Sequence, residues 1–124
     1  MVILKSAIQV ALFCILLFSL TFFYLRMGAL DPVFNQVQAL QTGDTIFAYD
    51  QTSDEFRKTH SILDFVKLVG VLNNNANIIL LEKNIAATQG TVKAQIRTPM
   101  GHVIVVYQLI REKNSWKIRS IRFT

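Results

Sequence analysis

From Ser6 to Leu25 the chain reads SAIQVALFCILLFSLTFFYL, twenty residues without a single charge. Wound as a helix at about 1.5 Å per residue, such a run measures roughly 30 Å, the thickness of a bilayer's hydrocarbon core. Lys5 and Arg26 bracket it, and Phe22, Phe23 and Tyr24 gather at one end, where aromatic rings suit a membrane–water interface. Of 124 residues, only those beyond this run remain to build a globule, enough for one domain. The sequence therefore predicts a stub, transmembrane anchor and connector over 1–30, followed by one globular domain over 31–124.

Two rival readings of the run fit less well. A cleavable signal peptide has an apolar core of about 7–15 residues and small residues before its cleavage site. Here the core is longer, Arg26 interrupts it, and Met27-Gly28-Ala29 lacks a small residue at its first position. A buried core helix would need a larger globule than the remaining chain can supply. For orientation, Lys5 and the amino terminus precede the run and Arg26 follows it, a slight bias toward a cytoplasmic head with the domain exported.

Charge and cysteine usage narrow the function. All eight acidic residues and all but two of the thirteen basic ones, Lys5 and Arg26, lie beyond residue 30, so the domain carries only a mild basic excess. A nucleic-acid binder shows a denser basic stripe, and none is expected as partner. Cys14, the one cysteine, lies within the apolar run, leaving the domain without a disulfide or a cysteine-based metal site.

Asp31-Pro32 reads as a helix start, with Asp31 as N-cap and Pro32 at the first helical position. Val33, Val37 and Leu40 then recur at helical spacing, predicting a helix over about 32–42. Gly43 suits the left-handed residue ending it, and Asp44 the N-cap of a short helix over about 45–51. Were the first helix unbroken, Asp44 would instead continue the stripe toward Phe47 and bury a carboxylate, the setting of a general base. The break explains Gly43 as well, and is preferred. Ser53 caps a short helix at DEFRKT, and Ser61 caps ILDFVKLVGVL, whose few charges call for cover on most sides.

The remainder reads as strands. The first covers about 77–88 after an NNNAN loop, Gln89-Gly90 turns, and TVKAQIRT alternates with Val92, Ala94 and Ile96 on one face. Pro99-Met100-Gly101 turns again, HVIVVYQLIR follows, then a loop at Glu112-Lys113-Asn114, then SWKIRSIRF. Four strands with short turns predict an antiparallel meander, hence an α+β domain of helices on a four-stranded sheet.

Helices first, a four-strand sheet ending in Trp-Lys-Ile, and an Ala-Leu-x-x-Gly-Asp break resemble the NTF2-like, or cystatin-like cone, superfamily. Within it, ALQTGD, AYDQTSDEF and VVYQLIREKNSWKIRSI resemble a small bacterial family typed as a domain of unknown function, over about 31–123. The resemblance implies a curved sheet wrapped around a helix, with a cone that in some members holds a pocket. Ketosteroid-isomerase-like enzymes and ligand carriers share this fold. So do membrane-anchored periplasmic assembly factors of type IV secretion systems, which also place a cytoplasmic stub and single span before the exported domain. This chain is much shorter than those factors. By resemblance it belongs in a bacterial inner membrane with the domain in the periplasm.

Residues able to carry chemistry are few. His60 and Asp64, four apart, have the spacing of a base and its orienter, but each is also explained beside the Ser61 cap. His102 at a strand start lacks companions for a metal site, and the five glycines form no phosphate loop. No catalytic residue, metal ligand or cofactor is expected. Asp44, Tyr49, Tyr107 and Trp116 are the candidate lining of a cone pocket, against a plain core role for the aromatics.

Strand parity marks a second candidate surface. If Val103, Val105, Tyr107 and Leu109 face the helices, then Ile104, Val106 and Ile110 face away, beside Lys93, Arg97, Lys117 and Arg119. Ile121 and Phe123 share the outward parity unless a bulge near Ser120 returns them to the core. Apolar residues on both faces of an antiparallel strand imply a further layer, another copy or a partner protein. The expected function is a membrane-anchored, non-enzymatic interaction or assembly domain, with a small-ligand or isomerase-like pocket protein as the alternative.

Overall fold

The computed structural model describes residues 2–70, 77–98 and 101–124. It opens on α1, Val2–Arg26, a helix long and apolar enough to cross a membrane, whose most apolar stretch has no residue buried against the domain. Such a helix fits a membrane anchor or a signal sequence.

A turn over residues 27–30 leads into α2, Asp31–Thr42. The Asp31 N–H donates to the Gly28 carbonyl at 3.1 Å, so Asp31 is already helical and the N-cap is Leu30, which offers no side-chain acceptor. This corrects the expected Asp31 cap: the chain enters α2 out of a preceding turn rather than from extended backbone. Pro32, Val33, Gln36, Val37 and Ala39 form the buried face. Gly43 ends the helix at φ 81°, donating its N–H toward Ala39 and Leu40, a conformation nearly free for glycine and costly for others.

Three short helices follow, each started by a side-chain cap. Asp44 accepts from the Phe47 N–H and opens α3, Thr45–Asp50; Ser53 accepts from Phe56 and opens α4, Asp54–Thr59; Ser61 accepts from Asp64 and opens α5, Ile62–Leu68. Phe65 of α5 packs its ring 5.4 Å from Tyr49 and 6.2 Å from Phe56, edge-on to the latter. The expected cover around α5 does not materialise. Phe65 and Val69 are buried, but Leu63 is 71% exposed, and Ile62 and Val66 are exposed too. The helix also stops at Leu68, short of the expected 72, and residues 71–76, including most of the NNNAN loop, lie outside those described.

The sheet is a meander in the order β1-β2-β3-β4: Asn77–Ile85, Gln89–Thr98, Gly101–Glu112 and Ser115–Phe123. Gln89-Gly90, expected as a turn, instead begins β2, because the Ala86 N–H donates to the Gln89 carbonyl at 2.8 Å and the turn falls one step earlier. Pro99 and Met100 lie outside the described residues, and Lys113 and Asn114 make the last turn with positive φ.

Register settles the parity question. Tyr107 pairs with Ile121 and Val105 with Phe123, while Leu109 pairs with Ile118 and Gln108 with Ser120. One extra residue, Arg119, is therefore bulged out of β4, and the slip sends Ile121 and Phe123 to the core side. This is the bulge near Ser120 that the sequence left open, and it takes Ile121 and Phe123 off the outer face. The helix-facing side of the sheet (Val92, Ala94, Ile96, Val105, Tyr107, Leu109, Ile118) meets Val33, Ala48, Phe56 and Phe65 in one core. Burial of this set is the main driving force for the fold.

The edge of β4 is partly covered. Ser53 N–H donates to the Ile118 carbonyl and Ile118 N–H to the Gln51 carbonyl, both at 2.8 Å, so residues 51–53 add a short parallel bridge there. Asp54 pairs with Arg57 and Lys113, and Arg119 with Glu55 at 3.3 Å, strapping α4 to the same edge. The Arg57 hydrogen bond, then Lys113, holds the Asp54 carboxyl below the usual aspartate range.

Candidate functional site

The four residues nominated for a cone pocket occupy four different settings. Asp44 is exposed, its Oδ1 taken by the Phe47 N–H at 3.1 Å, beside a shallow cleft of about 150 Å³ with Asn35, Gln38 and Thr42. Tyr49 donates its hydroxyl to the His60 carbonyl, which pins α3 to the end of α4. Tyr107 lies in the core with no exposed surface. Trp116 stands at the base of the domain, donating Nε1 to the Leu25 carbonyl at 3.0 Å.

The interior of the cone is occupied by side chains: Phe65, Ile96, Tyr107, Leu109 and Ile118 are all essentially inaccessible. Two polar atoms within it have no partner among the described residues, the Tyr107 hydroxyl and Gln36 Oε1, although Gln36 Nε2 donates to the Ala48 carbonyl at 3.2 Å. Burial raises the Tyr107 pKa above its ordinary value, since nothing nearby offsets the cost of a charge. The His60 ring stacks on Phe56 at 4.3 Å with Nδ1 beside Thr59 Oγ1, and Asp64 serves α5 through its backbone. Among the described residues no ion pair joins His60 and Asp64, and no three His, Cys, Asp or Glu side chains converge as metal ligands.

The outer sheet face presents Ile104, Val106 and Ile110, partly exposed, with Ile79 40% exposed on β1. Register places Lys93 against Val106 and Glu82, Gln95 against Ile104 and Ile79, and Arg97 against His102. Arg122, opposite Val106, adds a cation on the β4 side. Lys117 and Arg119 sit differently, for Lys117 Nζ donates to the Asp50 carbonyl at 2.9 Å and Arg119 reaches Glu55. Both fold around the β4 edge toward the helices.

A third location escaped the sequence reading. Where α1 ends, a cleft of about 590 Å³ is bounded by Tyr24, Asp31, Asn35, Arg111, Trp116 and Lys117, among others. Arg111 is the organiser. It donates Nη1 to the Leu25 carbonyl at 2.7 Å and lies 5.5 Å above the Tyr24 ring. Its inward parity, opposite Trp116, was a usable signal: a lone cation at the core-side end of an apolar strand needs a polar neighbour.

Helices followed by a curved four-stranded meander give the chain an NTF2-like fold, and solved structures agree. An NTF2-like protein of unknown function from Methylobacillus flagellatus KT matches at TM-score 0.62 and 11% identity, covering 77% of this chain and 87% of that one. One from Shewanella baltica OS155 matches at 0.60 and 10%, covering 78% and 90%. A DUF4783 family protein from Bacteroides ovatus matches at 0.50 and 14%, covering 72% and 90%. At these identities the likeness is one of fold. Residues 31–124 match the family described as Domain of unknown function (DUF4864), and the chain belongs to that family. No curated protein matches it.

Proposed function

We propose that this is a membrane-tethered, non-enzymatic interaction domain that binds a partner protein through the outer face of its sheet. The observation that carries the reading is the composition of that face: Ile79, Ile104, Val106 and Ile110 at its centre, Lys93, Arg97 and Arg122 around them, and no second layer over them among the described elements. An apolar centre with a charged rim is the ordinary anatomy of an interface. Cations on that rim, with Glu82 the one acid opposite Lys93, suit a partner with an acidic border better than a second copy, whose like charges would meet across the two-fold. In this reading α1 holds the chain in a bacterial inner membrane with the domain in the periplasm, and tethering raises the effective concentration of neighbours so that modest contacts suffice.

The reading is supported by the core, where among the described residues the buried polar side chains besides Tyr107 and Trp116 are Gln36, Gln51, Thr52 and Ser53, none of them an acid or base at neutral pH. The runner-up, a pocket protein, rests on the unpartnered Tyr107 hydroxyl and Gln36 Oε1. The test is Ile104→Thr with Val106→Thr in the full-length chain, cross-linked in its own membranes. Loss of the cross-linked partner from a folded variant is expected, and an unchanged cross-link pattern overturns the reading.

A further inference from the structure

The cleft at the end of α1 holds charges of both signs that the protein does not neutralise. Arg111 and Lys117 line it, and so does Asp31, yet among the described residues none of the three has an ion-pair partner. Lys117 Nζ spends one N–H on the Asp50 carbonyl and Arg111 spends Nη1 on Leu25, so each keeps donors free for a ligand. The Asp31 carboxylate accepts no hydrogen bond from the described residues, and its Oδ2 lies against Gly28, 3.2 Å from where a Cβ would stand. The two cations and the carboxylate border one space without touching, and a ligand with an anionic and a cationic end would satisfy both. Neutral donors and acceptors, Asn35, Gln51 and Ser115, complete the lining. The volume lies within the usual range for small-molecule sites, about 300–1,000 Å³.

Position narrows the ligand. Tyr24 and Trp116 mark the cleft's edge at the point where the apolar helix ends, and if α1 spans a bilayer this is headgroup depth. We propose that the cleft takes the headgroup of a zwitterionic phospholipid, its phosphate on Arg111 and Lys117 and its ammonium on Asp31. The inference rests on the anchor reading of α1, not on the sheet-face interface.

Trp116 is the chain's one tryptophan and borders the cleft, so its emission reports on occupancy. The full chain, solubilised in dodecyl maltoside, is titrated with dihexanoyl phosphatidylethanolamine, dihexanoyl phosphatidylglycerol, O-phosphoethanolamine and inorganic phosphate. The expected result is a saturable change with the phosphatidylethanolamine, and binding of the other three weaker by about tenfold or more, the scale of one charged hydrogen bond. Lys117→Gln should weaken the phosphatidylethanolamine by a similar factor, and Asp31→Asn should abolish its preference over phosphatidylglycerol. Both side chains are outside the core, so these variants keep the test independent of Arg111, whose loss would also loosen α1. Equal binding of O-phosphoethanolamine or inorganic phosphate makes the ligand a soluble phosphate and overturns the lipid assignment. No saturable change, or one that both variants leave intact, overturns the site. A chain washed from membranes by alkaline carbonate that still binds would lose the anchor and keep the cleft, whereas an embedded chain that does not bind would do the reverse.

Discussion

The indole of Trp116 donates to the backbone carbonyl of Leu25 across 91 residues of sequence, at 3.0 Å. The last carbonyls of a helix have no partner within it, and here the β3–β4 hairpin provides them: Trp116 and Arg111 both reach Leu25. The apolar helix is thus held by the domain it carries.

Trp116→Phe keeps a large ring but removes the donor, and should cost about 0.5–1.5 kcal/mol in thermal unfolding of the detergent-solubilised chain. Trypsin should also cut faster after Arg26, since the helix end is released from the hairpin. Unchanged melting and unchanged cleavage would show that the contact holds nothing.

At Gly43-Asp44 the chain is punctuated rather than armed. Asp44→Ala should cost about 0.5–2 kcal/mol, the scale of a lost N-cap, while Asp44→Asn should cost little because an amide oxygen caps equally well. Chemical denaturation of the two variants checks it. An Asp44→Asn protein that melts normally and loses a bound ligand would revive the catalytic reading of Asp44.

Local chemistry explains why the Asp44, Ser53 and Ser61 caps, the Gly43 stop and the alternation of Val92, Ala94 and Ile96 were legible in the sequence: each depends on residues a few positions apart. What stayed open or failed depended on register or on distant partners. The slip at Arg119 is one residue long, yet it reverses the side to which Ile121 and Phe123 point. The apolar run 62–72 predicted a covered helix, whereas of its described residues, 62–70, the structure buries only Phe65 and Val69. Lys117 and Arg119 share outward parity, but β4 is an edge strand and long side chains bend around an edge to reach carbonyls and carboxylates. The base cleft joins Tyr24, Asp31 and Arg111, three stretches whose meeting no periodicity encodes.

Tyr107 gives a pH-dependent prediction. Its hydroxyl is buried and unpartnered, so Tyr107→Phe should stabilise the fold by on the order of 1 kcal/mol. Burial raises its pKa in the folded state, so above about pH 10 the unfolded chain releases the phenolic proton while the folded one retains it. Stability due to this group is therefore full below about pH 10 and lost as pH rises further, and Tyr107→Phe should flatten the alkaline limb. Denaturant midpoints from pH 8 to 11 read the difference. A destabilised Tyr107→Phe would mean that the hydroxyl has a partner, which favours the pocket reading.

The last prediction concerns topology. α1 is apolar over its length, bears Lys5 before the uncharged run and Arg26 after it, and turns no buried residue of its most apolar stretch toward the domain. A helix packed into a soluble core would be covered, and twenty uncharged residues left in water would aggregate. The chain should therefore remain in the membrane pellet through an alkaline carbonate wash and migrate at its full mass. A reporter active only in the periplasm, fused after Thr124, should give signal. Release by carbonate, or a mass shortened by the first segment, would turn α1 into a cleaved signal sequence. Signal solely from a cytoplasm-active reporter would place the domain on the other side, and the sheet face would then have to find its partner there.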